Sequence, residues 1–242
     1  MSRSFGGLRA LDAVDLVAEP GAVTALIGPN GAGKTTLFGC LTGEVVADAG
    51  TVELGGRSLD GLRPEDRARA GLARTFQRLE VFGGLTVTEN LQVALDARRQ
   101  RPLWRELLGR APEEAADRAL VAAVLDLLGL GDVADEPAGV LPTGLARLVE
   151  LGRALCTDPG ALLLDEPASG LDSAETARLQ DVLTELAGRG ATVVLVEHDV
   201  ELVLAVSAAV VVLDFGRVIA TGTPQEITAN SAVRSAYLGA GT

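Results

Sequence analysis

A chain of 242 residues with 33 acidic and 21 basic side chains has a formal net charge of −12. That balance excludes non-specific attachment to a nucleic-acid backbone, which needs a basic face, and docking on anionic lipid by charge alone. An apolar fraction of 48% with only 3% aromatics describes a globular body whose core is built from Ala, Val and Leu.

The opening stretch MSRSFGGLRALD lacks the apolar segment of a signal peptide. Ala13 to Pro20, AVDLVAEP, alternates and predicts a strand that ends at the Pro20-Gly21 turn. AVTALI follows as a buried strand, then GPNGAGKTT, then a helix that stops near Gly43. TVEL before Gly55-Gly56 predicts an edge hairpin.

From about residue 78 to about residue 157 helical patterns take over. TVTENLQVAL opens with Thr86 and Glu89 at capping-box spacing. APEEAADRALVAAVLDLLGL has Pro112 near its first turn and Gly129 just past its end. Between them lies a basic run in which Leu103, Trp104, Leu107 and Leu108 share a helix face, with Arg98, Arg99, Arg101, Arg105 and Arg110 around it. It reads as a solvated helix packed by its apolar side or as a patch facing a membrane partner or lipid headgroups.

Strands and helices then alternate: ALLL, SAETARLQDVLTELAGRG, ATVVLV, a helix from Asp199, AAVVVLD and RVIATG. Thr223 to Glu226, TPQE, is a second capping box with proline at its first helical position. Continuous Val/Leu strands between helices predict a parallel sheet covered on both faces. The expected organisation is an α/β body, residues 1–77 and 158–242, with a helical subdomain inserted at 78–157. The longest apolar runs, such as VLAVSAAVVVL, are too short to span a bilayer. Cys40 and Cys156 sit among apolar neighbours and read as buried thiols in a reducing, cytoplasmic setting.

Gly28-Pro29-Asn30-Gly31-Ala32-Gly33-Lys34-Thr35 matches G-x-x-x-x-G-K-[ST] between a strand and a helix, the context that a phosphate loop demands. The glycines let backbone N–H groups turn toward phosphate oxygens, and the helix N-terminus adds positive potential. Lys34 reaches the terminal phosphates, Thr35 is placed to ligate Mg²⁺, and Thr36 completes the set that holds ATP. LLLDEP puts Asp165 and Glu166 at the end of a buried strand. Asp165 suits the Mg²⁺ shell and Glu166 suits polarisation of the attacking water.

With these motifs in this order, the chain resembles the nucleotide-binding subunit of an ABC transporter. The resemblance implies a P-loop NTPase fold with a mostly parallel sheet, antiparallel edge strands and an inserted helical subdomain. Phe5 resembles the aromatic that stacks on adenine, and Gln77 in RTFQ the glutamine that joins the Mg²⁺ and water region to the permease. Ser169 to Asp172, SGLD, resembles the loop that crosses the dimer. His198, the only histidine, would alone read as a surface or core residue; in VEHD it resembles the switch histidine on the γ-phosphate. FGGL, IGPNGAGKTTLF, ARTFQ, LTVTENL, EPASGL with the following ET, and the tail YLG are similar to the ATP-binding subunits of branched-chain amino acid importers. The ATPase of lipopolysaccharide export and urea importers share parts of this pattern.

Where the family places its signature, L-S-G-G-Q, this chain has Leu141-Pro142-Thr143-Gly144-Leu145. The departures at Pro142, Thr143 and Leu145 imply a weak contribution to the opposite subunit's ATP, although proline suits the first helical position and Thr143 offers a hydroxyl. The resemblance implies catalysis by Glu166, His198, Lys34 and Gln77, with Mg²⁺ on Thr35, Gln77 and Asp165. It implies permease subunits, a second ATP-binding subunit of different sequence in preference to an identical one, a solute-binding protein in the complete system, and a place on the cytoplasmic face of the membrane. Two alternatives remain open from the residues: a soluble ABC-type clamp, and a regulatory nucleotide-binding module with low turnover.

Overall fold

The computed structural model describes residues 1–75, 80–99 and 111–233. The chain forms two compact units, one comprising Met1–Arg74, Gly160–Glu166 and Leu183–Thr242, the other Thr75–Pro159 and Pro167–Val182.

The first unit opens with an antiparallel hairpin, β1 (Arg3–Phe5) and β2 (Leu8–Leu11). The buried strand β3 (Ala22–Ile27) leads through the phosphate loop into α1 (Lys34–Thr42). A small hairpin, β4 (Glu53–Leu54) and β5 (Arg57–Ser58), turns at Gly55-Gly56 as expected. Next come α2 (Pro64–Arg69) and β6 (Leu72–Arg74). After the excursion into the second unit the chain returns as β7 (Ala161–Asp165), β8 (Thr192–Val196), α7 (Val200–Val206), β9 (Ala209–Asp214), β10 (Arg217–Gly222) and α8 (Pro224–Ala229). The sheet order is β10-β9-β3-β8-β7-β6, parallel except for β10.

Strand periodicity divides the core into two faces. Leu26, Leu163, Val194, Val196, Val211 and Leu213 pack with Leu37 and Phe38 of α1. Ala25, Ile27, Val210 and Val212 pack the other way, with Val203 of α7 and Ile227 of α8. The central strands β3, β7, β8 and β9 are thus buried on both sides, which is why they read as continuous apolar runs.

One expected strand is absent. Ala13 to Pro20 alternates in burial, with Val14 buried and Leu16 and Ala18 partly so against the same core, but it joins no ladder. Val14 N–H donates to Met1 O at 2.8 Å, and among the described residues no strand pairs with the rest. Alternation marks one-sided burial; a strand also needs a neighbour to accept its hydrogen bonds.

The second unit contains α3 (Val87–Arg99), α4 (Ala111–Leu128) and α5 (Thr143–Cys156), together with the first part of α6 (Ser173–Gly188). The boundary drawn from sequence gave 167–182 to the sheet-bearing body; here these residues group with the helices. Thr86 and Glu89 form the expected capping box, with Thr86 N–H on Glu89 Oε2 at 2.8 Å and Glu89 N–H on Thr86 Oγ1 at 3.1 Å. Asn90, fully buried, takes the Phe82 N–H at 2.9 Å and gives its amide to the carbonyls of Phe82, Leu85 and Thr86, fixing the loop before α3. Arg98 pairs with Asp158 at 2.6 Å; residues 100–110, most of the basic run, lie outside the described residues.

Both thiols are buried, and burial pushes Cys156 up to about 12, as expected of inert hydrophobes. The C-terminal end of α1 is closed by a buried cation. Arg67 Nη1 donates to Cys40 O at 2.8 Å and Leu41 O at 2.7 Å, and Nε to Leu62 O at 3.2 Å. It satisfies the last carbonyls of the helix, and its charge complements the dipole there. Arg67→Ala is expected to lower stability by about 2–3 kcal/mol, the scale of a charged hydrogen-bond donor lost from buried acceptors. Urea unfolding of the full chain measures it.

Candidate active site

In the parallel ladder Leu26 lies opposite Val196, and Val196 opposite Asp165. The C-terminal ends of β3, β8 and β7 therefore form one row. The chain leaves that row as the phosphate loop, as Glu197-His198 and as Glu166. Ligands of open α/β sheets bind at this edge.

The phosphate loop is shaped by close backbone approach. A Cβ on Gly28, at φ +152°, would lie 2.0 Å from Leu213 O, and one on Gly33, at φ +109°, 2.6 Å from Ala10 O. Ala32 O accepts the Gly216 N–H at 2.9 Å, and Gly216 O accepts the Asp12 N–H at 2.8 Å, so the β9–β10 turn braces the loop against β2. Gly33 caps α1 with no side-chain acceptor, which leaves the first-turn amides of Lys34, Thr35 and Thr36 pointing out of the helix end. Lys34 Nζ donates to Gly28 O at 2.6 Å and Pro29 O at 3.0 Å. Burial pulls its ammonium below the ordinary lysine range, and the charges of Glu166 and Asp165 pull it back up. Thr35 is exposed and Thr36 half-buried.

Asp165 is buried at the end of β7, where Arg74 Nη2 meets its Oδ2 at 3.1 Å. Arg74 Nη1 also meets Glu44 Oε2 at 2.7 Å, and its guanidinium carbon lies 5.7 Å from the centre of the Phe38 ring. Sequence reasoning missed Arg74. Its signal was a basic residue ending a strand beside the carboxylate strand, but β6 itself was not recognised. Glu166 adopts φ +51°, a left-handed conformation unusual outside glycine, and its N–H donates to Val196 O at 2.9 Å. Such strain marks positions that the surroundings over-determine.

His198 is exposed, while Glu197, also missed from sequence, is buried beneath it; Glu197 Oε2 accepts the His198 N–H at 3.2 Å and lies 3.7 Å from Nδ1. Phe5 ends β1, 46% exposed, with the Arg3 guanidinium 4.7 Å from its ring centre. Gln77 lies outside the described residues.

The second unit holds Leu141–Leu145 and Asp172. Pro142 occupies the cap of α5 rather than its first helical position; Thr143 is first. The cap thus has proline's preset φ of −52° but no side-chain oxygen. Gly144 is buried and Leu145 half-buried. Asp172 heads α6, where its Oδ1 accepts the Glu175 N–H at 2.8 Å.

The ABC transporter sequence family matches residues 11–169, and the branched-chain amino acid ATP-binding cassette transporter family matches residues 217–242. Over 241 residues the chain is 43% identical to the high-affinity branched-chain amino acid transport ATP-binding protein LivG of Salmonella typhimurium, covering 97% of this chain and 94% of that protein. The chain belongs to the ABC transporter family.

Within it the cassette falls in the branched-chain amino acid group. BraF of Pseudomonas aeruginosa, another high-affinity branched-chain amino acid transport ATP-binding protein, is 39% identical over 99% of the cassette and 95% of its own length. The ADP conformation of MJ1267, an ATP-binding cassette of an ABC transporter, superposes with a TM-score of 0.81 at 30% identity, covering 98% of this chain and 96% of that one. The cassette is an ATP-binding, ATP-hydrolysing subunit of an ABC transporter, and its ligand is nucleotide.

Lys34→Ala is expected to weaken ATP binding about tenfold to a hundredfold, the loss of one charge-assisted contact, while leaving the unfolding transition in place. Gly28→Ala, which forces a Cβ onto Leu213 O, is expected to lower both. Titration calorimetry with ATP, run beside urea unfolding, separates the two.

Proposed function

We propose that this cassette powers the import of branched-chain amino acids or related solutes through separate permease subunits, from the cytoplasmic face of the membrane. The observation that carries the substrate class is the 43% identity with LivG across 97% of the chain, supported by the C-terminal match to the branched-chain cassette family. Among the described residues no helix is long and apolar enough to cross a membrane, which agrees with attachment through a permease. A solute-binding protein would complete the system, and the net charge of −12 argues against nucleic acid as a partner.

In this reading Lys34 and the backbone of residues 28–36 hold the phosphates of ATP, and Phe5 stacks on its adenine. Thr35, Asp165 and Gln77 would hold Mg²⁺. One hydroxyl and one carboxylate suit that ion, which keeps several waters and takes further oxygens from phosphate; no cluster of three or more His, Cys, Asp or Glu exists among the described residues to suit another kind of site. When bound, the ion would supply positive charge against the negative charge of the phosphates. Glu166 accepts a proton from the attacking water at its carboxylate. His198 and Lys34 donate to the γ-phosphate as its charge develops. Gln77 aligns the water. Leu141–Leu145 and Asp172 serve the ATP held by a second ATP-binding subunit. Because Pro142 has no hydroxyl and Leu145 no amide, that second subunit is proposed to differ in sequence and to carry the stronger signature.

Glu166→Gln is expected to keep ATP affinity, lower turnover by about a hundredfold or more, and accumulate an ATP-held dimer; unchanged single-turnover hydrolysis would remove Glu166 from this role. The partner assignment is tested in membranes. The chain is expected to sediment with them only when its permease is co-expressed and to support ATP-dependent uptake of labelled leucine there. Tight binding to protein-free liposomes at physiological salt would contradict it.

A further inference from the structure

The heads of α5 and α6 are packed on each other through two glycines. A Cβ built on Gly144, the second residue of α5, would lie 2.1 Å from Glu175 Oε2 and 2.6 Å from both Glu175 Cδ and Oε1. A Cβ on Gly170 would lie 3.3 Å from Thr143 Cγ2. The Glu175 carboxylate therefore rests on the bare backbone of Gly144, and the Thr143 methyl faces Gly170. Contacts this close leave no room for one helix head to slide on the other.

Glu175 is itself held. Asp172 N–H donates to Glu175 Oε2 at 2.8 Å, and Glu175 N–H donates to Asp172 Oδ1 at 2.8 Å, a reciprocal capping box. The oxygen that caps α6 is also the atom nearest Gly144. By contrast α5 has no side-chain cap, because Pro142 stands where a serine or threonine would supply one. The start of α5 is thus located from outside, by a side chain whose own rotamer is fixed.

We propose that Glu175 is the positioning residue of the segment Leu141–Leu145. Its carboxylate sets where the uncapped head of α5 sits, and so where that segment presents its backbone to the nucleotide on the second subunit. The proposal rests on the role given to the segment above. It also assigns a use to Thr143, whose methyl faces Gly170 and which a glycine at 143 would not supply. Glu175 is not among the residues assigned above to the nucleotide or to the reacting atoms.

The test uses the full chain carrying Glu166→Gln. ATP-driven dimerisation is followed by analytical ultracentrifugation, and the affinity of the monomer for a fluorescent ATP analogue by titration. Glu175→Ala is expected to weaken dimerisation about tenfold or more while leaving analogue affinity unchanged; the lost α6 cap lowers the melting transition only modestly, and the chain stays folded. Glu175→Gln keeps the volume and an oxygen for Asp172 N–H, and is expected to restore most of the loss. Glu175→Asp keeps the charge but not the reach; it is expected to behave like the alanine variant, and decides the matter if that variant unfolds. Gly144→Ala probes the segment directly and is expected to lose dimerisation. Parent-like dimerisation of Glu175→Ala and Glu175→Asp beside a defective Gly144→Ala overturns the positioning role and leaves the segment's role standing. If none of these variants, Gly144→Ala included, differs from the parent, both readings fall. Stronger dimerisation in both Glu175→Ala and Glu175→Gln would make the carboxylate a repulsive group, and overturns the proposal.

Discussion

At Gly28 and Gly33 the backbone of the phosphate loop passes so near to Leu213 O and Ala10 O that no side chain fits between. This contact fixes the loop against two strands at once and aims the uncapped end of α1 outward. Several elements of the first unit support it. The β9–β10 turn hydrogen-bonds to Ala32, β2 runs behind Gly33, and Arg67 closes the far end of the helix. A helix end with positive potential is useful only if its amides are held in place before the anion arrives.

The electrostatics of the row follow from the same geometry. Lys34 is partly desolvated, and the charges of Glu166 and Asp165 offset part of that cost. Arg74 occupies a similar position between Asp165 and Glu44, with little exposure. A buried pair of this kind adds little net stability, yet removing one partner costs about 3–5 kcal/mol, because the other charge is left stranded. The pair is therefore better understood as fixing where Asp165 sits than as a source of folding energy.

The departures from the family signature look different once the helix heads are seen. Pro142 is not a substitute for a capping serine, since it brings no oxygen to the amides of α5. Thr143 and Gly144 are engaged by residues of the α6 head, Gly170 and Glu175. A motif that reads as damaged letter by letter is thus part of a packed junction, whose other half lies some 30 residues further along the chain.

Much of this was legible in the sequence because it is written in short range. The phosphate loop, the Gly55-Gly56 turn, the capping boxes at Thr86/Glu89 and Thr223/Glu226, and the Val/Leu strands each depend on residues a few positions apart. Turn chemistry, capping and periodicity act at that distance and need no knowledge of the neighbours. The tertiary structure alone decided what depends on a distant partner. Ala13 to Pro20 has the alternation of a strand and lacks a ladder. β6 is only three residues long and exists because β7 pairs with it. Arg74 reaches Asp165 because those two strands are neighbours, and Glu175 reaches Gly144 because two helix heads meet. A single chain read in order specifies which groups seek partners, but close packing in three dimensions selects the partners they find.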